Sequence, residues 1–61
     1  MPMTTKEFLM LEEQLKEERL LVKKYAYYAR LASDPQLRHR FESNCAVHQR
    51  YCDQLLTRLH V

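Results

Sequence analysis

At 61 residues, 46% of them hydrophobic and none of them glycine, this chain is too short for a second core and too apolar for a disordered tail. A domain of this size buries only about 60% of its unfolded surface, so disulfides, a metal or self-association usually supplement the core. The net charge of +2 splits evenly between the halves with acids and bases interspersed, which argues against a nucleic-acid partner, and the longest aliphatic run, Leu20-Leu21-Val22, is too short to span a membrane.

In chain order, the opening MPMTTKEFLM has no basic region followed by an apolar one. No secretory signal is therefore expected, and a cytoplasmic location is the default. Thr4-Thr5-Lys6-Glu7 reads as a capping box, with Thr4 as N-cap and Glu7 three residues on. From there to Ala32 the chain contains no proline and is rich in Glu, Lys, Leu, Ala, Arg and Gln, which predicts one long helix over about 4–32. Ser33-Asp34-Pro35 is the only break. The residue before a proline is pushed out of the α region, which ends the first helix. Asp34 can then cap the second while Pro35 sits in its first turn, where a missing N–H costs nothing. Helix two is predicted over about 35–59. A break this short makes the two helices antiparallel neighbours. The predicted fold class is all-α, an antiparallel two-helix hairpin forming a single domain over 1–61.

Read with a seven-residue repeat, helix one carries the stripe Phe8, Leu11, Leu15, Glu18, Val22, Tyr25, Ala29, Ala32. Helix two carries Phe41, Cys45, His48, Cys52, Leu55, Leu59. Both helices rise equally per residue, so residues at one level of the hairpin have numbers summing to about 67. That rule pairs Leu15 with Cys52, Val22 with Cys45 and Tyr25 with Phe41. It also brings Glu18 to the level of His48, the one ionisable residue in each otherwise apolar or thiol stripe. Two such groups facing each other form either a structural lock that fixes register or a site.

Cys45 and Cys52 lie seven residues apart on one helix face, about 10 Å along the axis. A disulfide needs Cα atoms within about 7 Å, so these two cannot bridge each other in an intact helix. They are core thiols, metal ligands or cross-chain partners, and free cysteine packs well as a small hydrophobe. In ferritin-like di-metal bundles, two helices each supply a Glu and two supply Glu-x-x-His. Here the corresponding motif is Cys45-x-x-His48. Glu18, His48, Cys45 and Cys52 are accordingly the candidate metal ligands, a set that favours zinc over di-iron chemistry. No cofactor other than such an ion is expected. Nucleophilic catalysis finds no support, because a hairpin has no loops to build a cleft or an oxyanion hole. The chain is therefore not expected to be an enzyme.

Helix one also carries apolar residues away from its stripe. Leu20, Leu21, Tyr27, Tyr28 and Leu31, with Tyr51 and Leu56 of helix two, would stay in water in a monomer. They are the candidate interface residues, and pairing two hairpins into a four-helix bundle covers many of them. A homodimer or higher homo-oligomer follows. The tyrosines fit packing and interface roles, since tyrosine buries a large body while its hydroxyl stays wet.

The segment Glu18-Arg-Leu-Leu-Val-Lys-Lys-Tyr-Ala-Tyr-Tyr-Ala29, followed by Ala32-Ser-Asp-Pro-Gln-Leu-Arg38, resembles the spore coat F-like proteins of endospore-forming Firmicutes. In that family a ferritin-like helix ends at an Asp-Pro-x-Leu or similar step, and a second helix carries a His-Gln pair, here His48-Gln49. The resemblance covers nearly the whole chain and rests on helical residues rather than on a catalytic signature. It implies a ferritin-like helical bundle, a structural role in assembly, and other spore coat proteins as partners. It does not imply iron oxidation, because Cys45 stands where a second-helix Glu would be. A metal-binding bundle and a regulatory hairpin that docks on a partner through Leu20, Tyr27 and Leu31 are the alternatives.

Overall fold

A computed structural model describes residues 3–60. Two helices account for almost all of them, α1 over Thr5–Leu31 and α2 over Pro35–Leu59, packed side by side as a hairpin with principal extents of 47 × 14 × 11 Å. The opening of α1 is closed by the expected capping box. The Glu7 backbone N–H donates to the Thr4 hydroxyl at 3.1 Å, and the Glu7 carboxylate accepts from the Thr4 backbone N–H at 3.4 Å. These bonds satisfy amides that the first turn of a helix leaves without partners.

The hinge follows from the Ser-Asp-Pro step. Asp34 is extended, at φ −77° and ψ 121°, the region to which a following proline restricts it. Its carboxylate accepts from the Gln36 backbone N–H at 2.9 Å. Arg38 reaches back across the turn, a contact that no local sequence pattern announces. Its Nε and Nη2 both donate to the Ala32 carbonyl, at 3.2 and 2.8 Å. That fork caps the C-terminal end of α1 with a cation, where the helix dipole favours one. No described residue has a positive φ, so the reversal needs no glycine.

The core is the seam between the helices, and it is thin. Leu11, Leu15, Ala29, Ala32 and Cys52 are buried, and among the described residues no polar or charged one is. Val22, Tyr25, Phe41, Cys45, Leu55 and Leu59 are half-buried seam members. Phe8, assigned to the seam from its spacing, is 41% exposed because it lies at the open end, where α2 gives out. Of the candidate interface residues, Leu20, Tyr27, Tyr28, Leu31 and Tyr51 are exposed, whereas Leu21 and Leu56 are half-buried by the hairpin itself.

Candidate functional site: the Glu18–His48 pair

Glu18 is the central residue of α1, and His48 lies one residue past the centre of α2. The seam repeat turns both inward, and antiparallel packing sets them at one level. His48 Nδ1 and Glu18 Oε2 are 2.5 Å apart. The carboxylate accepts the Nδ1–H, a bond that both the neutral Nδ1–H tautomer and the imidazolium can make. Their side chains are 21% and 23% exposed, so the pair is shielded without being sealed. On the solvent side Glu18 borders an open notch shared with Gln14, Tyr51, Gln54, Leu55 and Arg58.

The imidazole is held by aromatics as well as by the carboxylate. The Tyr25 ring stacks on it at 5.6 Å with only 7° between the planes, and the Tyr51 ring meets it edge-on at 5.6 Å. Tyr25 also packs against Phe41 and Tyr28, with ring centroids 6.2 and 6.4 Å away. Lys24 Nζ lies 5.4 Å from the Tyr25 ring and 5.8 Å from that of Tyr28, a cation–π arrangement. At about 100° per residue, Tyr25, Tyr27 and Tyr28 leave α1 at three different angles. The rings of Tyr25 and Tyr28 nonetheless join one chain of contacts, because Phe41 of α2 lies within reach of both.

The two thiols are not gathered round this pair. Cys45 Sγ donates to the Val22 carbonyl at 3.5 Å and borders an open groove floored by Ala26, Ala29 and Ala46. Cys52 is 2% exposed. Burial pushes its thiol above the ordinary value, the Glu18 charge adds to this, and the Arg19 charge opposes it. Among the described residues no group of three or more His, Cys, Asp and Glu side chains is placed to hold a metal ion. Of the four candidate ligands, the fold joins Glu18 and His48, while Cys45 and Cys52 have their own surroundings.

Chemically the arrangement fixes two helices in register. A carboxylate and an imidazole satisfy each other at mid-length, and sliding either helix by a turn would separate them. No described helix is long and apolar enough to cross a membrane. Against protein-family models, curated proteins and solved structures, the chain finds no match.

Proposed function

We propose that this chain is a non-enzymatic building block, a helical hairpin that associates with copies of itself into a four-helix, ferritin-like assembly with a structural role. One observation carries this reading. Among the described residues nine large hydrophobic side chains are exposed, against two large buried ones, Leu11 and Leu15, and seven of the nine lie on α1. Isolated apolar residues on a surface are ordinary, but a two-helix unit with more large apolar side chains outside than inside lacks the burial to stand alone. A second hairpin supplies the missing layer. Within this reading Glu18 and His48 act as the register lock of each hairpin. The resemblance of residues 18–29 and 32–38 to spore coat F-like proteins supplies a setting, a spore coat built from small helical units and other coat proteins.

The test is solution mass and metal content measured on the same sample, purified without chelators. A dimeric or larger mass with no stoichiometric metal supports the structural reading. Stoichiometric zinc or iron, lost together with the oligomer on chelation, would favour a metal-binding bundle instead. A strictly monomeric mass at all accessible concentrations would remove the self-association on which the reading rests.

A further inference from the structure

The outside of α1 carries two patterns that α2 leaves unused. One is apolar: Leu9, Leu20, Tyr27 and Leu31 are each more than half exposed. At about 100° per residue they fall on one side of the helix, turned away from the buried Leu11, Leu15 and Ala29. The other is a gradient of charge. Leaving aside Glu18, which turns inward to His48, residues 5–17 hold four glutamates against two lysines, a net −2, whereas residues 19–31 hold four cations and no acid, a net +4. The charges of α2 do not cancel it. Arg38, Arg40 and Glu42 lie toward the hinge and Arg50, Asp53 and Arg58 toward the open end, a net +1 in each. Among the described residues the only ion pair is Glu18–His48, so no other α1 charge there is paired with an opposite charge.

We propose that the occupant of this face is α1 of a second copy, running antiparallel. This rests on the self-association proposed above and adds its face and its direction. A parallel pair would lay acid on acid and base on base. An antiparallel pair lays each acidic half over a basic half, twice over, as a two-fold axis requires. Glu18 is the middle of α1, so an axis near its level overlaps the two helices fully. It then brings Leu9 of one copy to the level of Tyr27 in the other, and Glu13 to that of Lys23. The charge gradient sets the direction, and the four exposed apolar residues supply the contact.

Two charge-reversed variants test this, Glu13→Lys/Glu17→Lys and Lys23→Glu/Lys24→Glu, all at exposed positions. Each is examined alone and in an equimolar mixture, by sedimentation and circular dichroism, beside the wild type. At a concentration where the wild type is dimeric, each variant alone should associate at least about tenfold more weakly, because like charges now face each other or the attraction is gone. The mixture should restore the dimer, since each variant supplies the complement of the other. If a variant alone also loses helix, mixing should restore helix and mass together. Variants that dimerise as well as the wild type, or a mixture with no recovery, would overturn the face and direction while leaving self-association standing. A dimer indifferent to these charges but broken by Tyr51→Glu would place the interface on the aromatic face and overturn the proposal equally. A wild type that stays monomeric throughout would overturn the self-association itself.

Discussion

Glu18 and His48 each lose a charge-assisted or neutral hydrogen bond when the other is removed, and the survivor is left partly desolvated. Their side chains keep about a fifth of their exposure, so the cost is that of a shielded hydrogen bond rather than of a fully buried ion pair. Glu18→Leu and His48→Leu should each destabilise by about 1–3 kcal/mol, and the double variant should recover much of the loss. A double-mutant cycle by chemical denaturation checks this. Coupling well above about 0.5 kcal/mol marks direct contact, and additive losses would deny it. Cys52 gives a pH dependence with a definite sign. Its folded pKa is raised, so its contribution is complete below the ordinary thiol value of about 8.5 and declines as pH rises through the higher folded value. Stability measured from pH 7.5 upward should therefore fall in the wild type, and fall less steeply in Cys52→Ala. The meeting of Glu18 with His48 was legible in the sequence, because two lone polar breaks in two apolar stripes share one level. The stacking of Tyr25 on His48 was not legible, because it depends on ring rotation and not on level.

For the elements, the ends of both helices rest on side-chain caps that the sequence announces. Asp34→Ala removes the acceptor for the Gln36 amide and should cost on the order of 1 kcal/mol, visible as a shift in denaturation midpoint. Pro35→Ala should cost less, because Pro35 sits at the first position of α2 and gives up no hydrogen bond there. Arg38→Ala should cost about 1 kcal/mol through the two bonds lost at the Ala32 carbonyl, and Arg38→Lys should restore only part of it, since a lysine cannot reproduce the guanidinium fork. Capping boxes and Asp-Pro steps are local patterns, so the caps and the hinge could be read directly. The Arg38 fork spans six residues across the reversal and is created by the fold, so no local pattern announces it.

Across the whole molecule, the proposed assembly accounts for what a single hairpin leaves uncovered. Helix positions and the seam follow from periodicity, yet among the described residues the seam buries only five hydrophobic ones, and Leu9, Leu20, Tyr27 and Leu31 share one exposed side of α1. The even charge of the two halves conceals the polarity of α1, because acids near its start cancel bases near its end when the helix is counted as one piece. That polarity acquires meaning only once the fold shows that α2 does not neutralise it. Leu21 and Leu56 show the opposite limit. They lie off the stripes, yet the hairpin half-covers them, because its helices shield more than one stripe each. An assembly gains stability by mass action, since association favours the folded form as concentration rises. The thermal unfolding temperature across a hundredfold range of protein concentration tests the self-assembling hairpin most directly. It should climb steadily with concentration, in step with an oligomeric sedimentation mass; a melt that stays fixed while the mass remains that of one chain would contradict it.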